Sequence, residues 1–319
     1  LKANLCRCTG YVKIIDAILA AARALRENKE IGWEKSRGIG VSAPKYDGYD
    51  KALGRSEFIN DMQLDGMHHG VLKFSAHPRA RVLQIGVSAA EKLPGVIRVF
   101  TAADIPGERC QGILVKDWPM FVAEGETTRY IGDVLAGVVA ENEAAARRAV
   151  ERIQVEYDVL APLTEMTEAA DSPVHVHAAS NLLKKTVISR GEPVETVFAR
   201  SAHSVEGVFE TPFVEHAFLE TEAGIARPDD TGGLIVYSQS QGIFKDRLQI
   251  ASLLALPEES VNVVQVSAGG GFGGKEDLSV QHHAALYAHL LGQPVKVRLD
   301  RAESIRMHPK RHRMQMHYR

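Results

Sequence analysis

The sequence predicts a mixed α/β fold of α+β type in more than one domain, and three features predict it. Between 51 and 160 short strand patterns alternate with helical ones. From 201 a β-rich stretch leads twice from a strand toward a helix. Within it lies a run in which five of the six positions from Gly269 to Gly274 carry no Cβ. Strands and helices in alternation build layered α/β architecture. At 319 residues, with 45% apolar and 24% charged residues, the chain is long enough for two domains and has the composition of a globular protein. A formal charge of −2 argues against nucleic acid or an anionic membrane as the main partner. No apolar run approaches the ~20 residues of a membrane span, and no charged-then-apolar leader is seen, so the expected setting is cytoplasmic. The chain opens inside a cysteine motif and stops at the strand-like Met314 to Arg319, as a piece of a longer polypeptide would.

The first element is Cys6-Arg7-Cys8-Thr9-Gly10-Tyr11, followed by Ile14, Ile15, Ile18, Leu19, Ala22 and Leu25 at helical spacing. Two thiols one residue apart can reach the same iron or zinc; two buried small hydrophobes explain them as well. A metal wants about four ligands, so two are missing here. Residues 28–50 lack periodicity and read as a linker. In the α/β module from 51 to 160, Val71 to Ser75, Ala80 to Val87, Val96 to Phe100, Ile131 to Ala140 and Ile153 to Tyr157 read as strands, with helices near Ser88 and from Glu141 to Arg152. His68, His69 and His77 lie beside its turns without a carboxylate or thiol set to complete a site. Residues 161–184 are a second linker. Beyond them Ser204 to Phe209, Ala223 to Ala226 and Leu234 to Ser238 are strands. The last ends in Ser238-Gln239-Ser240-Gln241-Gly242 before a helical pattern, with Ser240 placed to cap it and Gln241 able to donate and accept.

The glycine run follows the strand Ser260 to Val266 and precedes an apolar, helix-like pattern, so strand, loop and helix N-terminus together offer N–H groups to an anion. Gly269 to Lys275 satisfies the spacing of a nucleotide P-loop. Glu276 stands where the Mg²⁺-binding hydroxyl belongs and would repel phosphate. Gly269, Gly271 and Gly274 also satisfy the dinucleotide spacing, with Asp300 ending a later strand as such a site wants, although a β-rich segment precedes the motif. Tight strand-to-helix packing would equally use glycines.

Taken together, Cys-Arg-Cys-Thr-Gly-Tyr, Glu215-His216-Ala217-Phe218-Leu219-Glu220-Thr221, Ser240-Gln241 and Gly-Gly-Gly-Phe-Gly-Gly-Lys-Glu closely resemble the molybdenum hydroxylases, the xanthine dehydrogenase and aldehyde oxidase family. The resemblance runs over nearly the whole chain in family order. It implies a short helical remnant of the [2Fe–2S]-binding domain at 1–27, a linker at 28–50 and an α/β hammerhead domain at 51–160. A second linker at 161–184 would lead to the N-terminal part of a mixed α/β molybdopterin-binding domain at 185–319. It further implies that Cys6 and Cys8 are two ligands of a [2Fe–2S] cluster, the others lying outside this chain along with the general base. Gln241 would hydrogen-bond a molybdenum ligand, and Gly271, Phe272, Gly273 and Gly274 would lie against molybdopterin. Glu276 would face the substrate; the alternative for it is a helix-start acid favoured by the dipole. The implied chemistry is hydroxylation with water as oxygen source. A purine or related N-heterocycle is preferred over an aldehyde, because aldehyde-type members tend to carry an apolar residue at the Glu276 position. The resemblance also implies no FAD on this chain, so that flavin, if used, would sit on another subunit of an oligomer, one that bears flavin or accepts electrons.

Overall fold

A computed structural model describes the chain except Leu5, Arg7, Cys8, 32–37, Ser42, Pro44 and 178–179. It forms two compact units, Leu1–Ser56 and Glu57–Arg319. In the first, the spacing of Ile14 to Leu25 produces α1 (Val12–Glu27), closed by Asn28 in the left-handed region with its N–H on the Ala24 carbonyl. A single further turn is α2 (Gly48–Ala52). No residue of either helix is buried.

The second unit begins with β1 (His68–Phe74), β2 (Ala80–Gly86), α3 (Ser88–Glu91), β3 (Val96–Phe100), β4 (Cys110–Gln111) and β5 (Trp118–Pro119). There follow β6 (Val134–Ala140), α4 (Glu143–Val150), β7 (Gln154–Val159), α5 (Met166–Ala169), α6 (Val194–Arg200) and β8 (Gly207–Thr211). The chain ends in β9 (Ala223–Pro228), β10 (Leu234–Ser238), α7 (Ile243–Leu254), β11 (Val261–Gln265), α8 (Gln281–Leu291), β12 (Val295–Arg298), α9 (Arg301–Met307) and β13 (Met314–Tyr318). His68 and His69 therefore lie inside a strand. No helix among the described residues is long and apolar enough to cross a membrane.

Seven strands share one sheet in the order β11-β10-β9-β12-β1-β6-β3. Only β10 with β11 and β1 with β12 are parallel. Because β1 pairs with β12, His69 opposite Lys296, the sheet is continuous across the two segments that the sequence separates at 161–184. A doubly wound dinucleotide fold is not built, since β9 runs antiparallel to both its neighbours. Asp300, the acid such a fold would use, caps α9 instead. It accepts from the Glu303 N–H at 2.8 Å, and Glu303 accepts from the Asp300 N–H at 2.8 Å.

All seven residues of β6 are buried because both faces of the sheet are covered, which is why it reads as an unbroken apolar run. On one face Leu72, Phe100 and Val139 pack with Ile250 and Leu254 of α7 and Ala284 and Tyr287 of α8. On the other Val71, Val138 and Ala140 pack with Ala145, Ala146 and Ala149 of α4. Tyr287 lies across Gly70 and Gly137, where added Cβ atoms would strike its ring and its hydroxyl. The two glycines thus set how closely α8 approaches the sheet.

The expected helix directly after the glycine loop is not there. Residues 275–280 run on as a segment in which Lys275, Leu278, Ser279 and Val280 are buried, and α8 starts only at Gln281. The Gln281 Oε1 accepts the N–H groups of Ser279 and Val280 at 3.1 Å each, satisfying them before the helix begins. The loop therefore has no helix N-terminus behind it, and Glu276 is not a helix-start acid.

At the other corner, Ser238 to Gly242 bends between β10 and α7 around the fully buried Asp246. Its carboxyl accepts the Ser238 and Ser240 hydroxyls at 2.9 and 3.2 Å. The Ser238 Oγ accepts the Ser240 N–H at 3.1 Å and the Ser240 Oγ accepts the Gly242 N–H at 2.9 Å. Gly242, not Ser240, is the N-cap of α7.

The packing of α8 predicts that Gly137→Ala, which drives a methyl into Tyr287, destabilises the protein by about 2 kcal/mol or more. Tyr287→Phe removes a hydroxyl that has no partner among the described residues, and should recover part of that loss; thermal melts of the double-mutant cycle check it. Burial raises the Asp246 pKa from 3.8 to about 6. The folded chain thus holds this proton to higher pH than the unfolded one, and the contribution of Asp246 to stability falls as pH rises from about 4 to about 6. Asp246→Asn should gain on the wild type by up to about 3 kcal/mol across that window, read from denaturant midpoints at pH 4 and 6.5; a pH-independent difference would refute it.

Candidate functional site

Because β10 and β11 are parallel neighbours, their carboxyl ends open on the same side, where open α/β sheets place their sites. The Ser238 to Gly242 corner follows one strand and the glycine loop follows the other. Backbone bonds join them: the Val266 N–H donates to the Ser238 carbonyl at 2.9 Å, and the Gln241 N–H to the Lys275 carbonyl at 2.8 Å. The Gln265 side chain adds an Nε2 bond to the Ser240 carbonyl at 2.8 Å.

Gln241 sits at the centre of this junction, exposed. Its Oε1 accepts the Gly273 N–H at 2.9 Å and the Lys275 N–H at 3.4 Å. Two backbone donors fix which side of the carboxamide is oxygen, so Nε2 is turned away from the loop as a donor. Gly271 lies so close that an added Cβ would be 2.6 Å from the Gln241 Oε1, and a Cβ at Gly274 would be 2.9 Å from the His216 Nδ1. Phe272, at the tip, has φ +53° and is 69% exposed. An aromatic residue in the left-handed region is held there by its surroundings at a cost of about 1–3 kcal/mol. Among the described residues the N–H groups of Gly270, Gly271 and Phe272 have no protein acceptor. These donors and the Gln241 Nε2 suit a group rich in acceptor oxygen or sulfur, approached at backbone distance. Glu276 is exposed on the same segment, and the Asp277 carboxyl, pushed up by burial, stands next to it.

The side chain of Lys275 turns inward and is 2% exposed. Its Nζ donates to the Glu220 carbonyl at 2.8 Å and to the Gln239 Oε1, and lies 4.4 Å from the Phe218 ring centroid. It cannot reach a phosphate on the outer side of the loop, which removes the P-loop reading on geometry. Burial lowers its pKa to about 8 and raises that of Glu220.

Beneath the loop, one atom each from Glu215, His216 and His308 lie within 4.8 Å of one another, a donor set of metal-binding type. Two of the three already have close partners, while the buried His216 Nδ1 has none among the described residues. His308 is within 2.8 Å of Glu215 and 3.0 Å of Glu222, one carboxylate on each ring nitrogen, and Lys310 is 2.9 Å from Glu215. Glu215 to Thr221 stands out in the sequence as one motif, whereas His308, from the end of α9, and the inward side chain of Lys275 join it only in the fold. A Lys after six nearly side-chain-free residues points outward on any motif reading; only the fold reveals its partners.

Of the expected cluster ligands, Cys6 lies in the first unit, half-buried, with its Sγ 3.1 Å from the Thr9 Oγ1 and its N–H on the Tyr11 hydroxyl at 2.9 Å. Cys8 lies outside the described residues.

Residues 174–319 match the molybdopterin cofactor-binding domain, and residues 53–161 the hammerhead domain of aldehyde oxidase and xanthine dehydrogenase. The chain is 38% identical to a probable xanthine dehydrogenase subunit of Bacillus subtilis, over 85% of its own length and 36% of that protein. It is 34% identical to the nicotinate dehydrogenase large molybdopterin subunit of Eubacterium barkeri, over 88% of this chain and 65% of that one. The solved aldehyde oxidoreductase from Desulfovibrio gigas superposes with a TM-score of 0.90 at 26% identity, covering 98% of this chain and 37% of that chain. The chain thus spans between about a third and two thirds of the length of these relatives. A mixed sheet carrying a glycine loop against a glutamine corner, with two matched domain models in sequence, places this chain in the molybdenum hydroxylase family of xanthine dehydrogenase and aldehyde oxidase.

Proposed function

We propose that the protein forms part of a molybdenum hydroxylase that oxidises a purine-type N-heterocycle with water as the oxygen source and passes the electrons to [2Fe–2S] clusters. In this reading 51–160 acts as the hammerhead domain and 185–319 as the first part of the molybdopterin-binding domain. Residues 1–27 would be the end of the iron–sulfur region, with Cys6 and Cys8 as cluster ligands, and 28–50 and 161–184 linkers. A cytoplasmic setting and a separate flavin-bearing or electron-accepting subunit belong to the same proposal.

The observation that carries it is the Gln241 carboxamide, whose Oε1 is held by the Gly273 and Lys275 N–H groups. This leaves its Nε2 as a donor at the same corner as the loop N–H groups of Gly270, Gly271 and Phe272, unpaired among the described residues. When bound there, molybdopterin would supply the two-electron redox chemistry. Gln241 would donate to a ligand of the metal, and the loop N–H groups of Gly271 and Phe272 would meet acceptors on the cofactor. Gly273 already spends its N–H on Gln241. Gly274 brings the loop down onto His216 and Phe218. Phe272 would exclude water above the site.

Glu276, exposed two residues after Gly274, supports an N-heterocycle: a carboxylate can accept from a ring N–H or, protonated, donate to a ring nitrogen. The names of the two sequence relatives, a xanthine and a nicotinate enzyme, are in keeping with it. The likeness to an aldehyde oxidoreductase supports the second reading, oxidation of an aldehyde.

Substrate profiles of the complete enzyme separate the two. Hypoxanthine or xanthine is expected to turn over faster than benzaldehyde, and Glu276→Ala to lower kcat/KM for the purine by about 10²-fold or more while leaving the aldehyde within about threefold. Equal turnover of both classes by wild type and variant alike would reject Glu276 as a substrate contact. For the cofactor, denaturing the native enzyme should release molybdenum together with organic phosphate, whereas tight NAD binding in their place would favour a dinucleotide site.

A further inference from the structure

The glycine loop is anchored from below at both of its ends, and a single residue makes both anchors. At the front, the Glu220 carboxylate accepts the Gly269 N–H at 2.7 Å, and the Glu220 N–H returns a bond to the Gly269 carbonyl at 3.2 Å. At the back, the Glu220 carbonyl accepts from the Lys275 Nζ at 2.8 Å, and its Oε2 lies 4.0 Å from the same ammonium. Gln239, from the corner that presents Gln241, supplies the second acceptor, and its Nε2 is held by the Thr221 carbonyl at 2.8 Å. Phe218 underlies the ammonium at 4.4 Å.

A buried ion pair is a weak source of stability, since desolvation offsets most of the attraction and apolar replacements of equal volume often do as well. What the pair supplies that an apolar contact does not is direction. Each bond has a fixed acceptor, and the bonds terminate on the residues that bracket the loop. Gly273 and the Lys275 N–H, which orient Gln241, lie between those two anchors or on one of them.

We propose that Glu220 and Lys275 are positioning residues, which fix the two ends of the Gly269 to Lys275 loop and thereby the alignment of the Gln241 carboxamide and the loop N–H groups toward the cofactor. The proposal rests on the reading of this corner as the molybdopterin site. Both side chains are buried beneath the loop, Lys275 at 2% and Glu220 at 9% exposure. The charged groups facing Lys275 are Glu220, Glu222 and Arg301, and the first two favour its ammonium form.

The test compares the complete enzyme with its Lys275→Met and Glu220→Gln variants by four measurements. These are molybdenum and pterin content, amide exchange of the peptide spanning 268–275, kcat and KM separately, and the electron paramagnetic resonance signature of the reduced metal. Lys275→Met keeps the volume and loses the bonds. It is expected to retain cofactor, to raise loop exchange about tenfold, to lower kcat about 10- to 100-fold with KM within about threefold, and to alter the signature. Glu220→Gln keeps an oxygen for the Gly269 N–H and should fall between wild type and Lys275→Met on every readout. Should Lys275→Met be insoluble, Glu220→Gln carries the decision alone.

Variants that are fully loaded with wild-type exchange, kcat and signature would overturn the proposal. So would a loss of activity wholly explained by lost cofactor. A wild-type enzyme holding neither molybdenum nor pterin would instead overturn the reading of the site, and with it this inference.

Discussion

The parallel pairing of β10 with β11 is the constraint on which the rest of the site depends. Leu234 opposite Val261 through Ser238 opposite Gln265 keeps the two strands in step for five residues, so they end together. Only then do the Ser238 to Gly242 corner and the glycine loop leave the sheet at the same height, close enough for the Gln241 N–H to bond the Lys275 carbonyl. A shift of one residue would invert the side chains of one strand relative to the other. It would also carry Gln241 past the loop by about 3.3 Å. Register here is strongly specified, because Val236 and Val261 are buried against α7 and α8 while the faces cannot be exchanged.

Most of the sheet was legible in the sequence for a plain reason: burial on one or both faces leaves a periodicity of two or an unbroken apolar run. β6 and β10 lie within a residue or three of their expected bounds. The continuity of the sheet across 161–184 was not legible, because pairing of β1 with β12 joins residues more than two hundred positions apart and leaves no local mark. The start of α8 was misread because Leu278 and Val280 continue an apolar pattern that suits a helix, yet they are buried in a non-helical segment whose N–H groups Gln281 satisfies. In the site, Gln241 and the glycines were visible as residue types in unusual density. The groups that hold them, Glu220, Gln239, Lys275 and Asp246, were not, since a polar residue reads as exposed until its partners are known.

Those supporting groups gather around the ends of β10 and β11, whereas most of the sheet's buried side chains are apolar. Asp246 under the glutamine corner, Lys275 with Glu220 under the loop, and His308 between Glu215 and Glu222 each bring ionisable groups out of water. None is an economical way to hold a fold together. Stability is supplied by the two apolar layers against α7, α8 and α4. The polar clusters convert that stability into defined directions for a few N–H and carboxamide groups, a division expected where a protein must present hydrogen bonds rather than bury surface.

The absence of a helix immediately after the loop gives this arrangement its last feature. In a helix, successive residues are turned by 100°, and Lys275 and Glu276 would share adjoining sectors of one surface. In the non-helical run that occurs instead, neighbours can point to opposite sides: Lys275 is buried beneath the loop and Glu276 is exposed above it. Two consecutive charged residues thereby differ in exposure, one anchoring the loop from within and the other left open to solvent. The delay of α8 to Gln281 is therefore part of how the site is made, because a helix begun at Lys275 could not separate the two charges in this way.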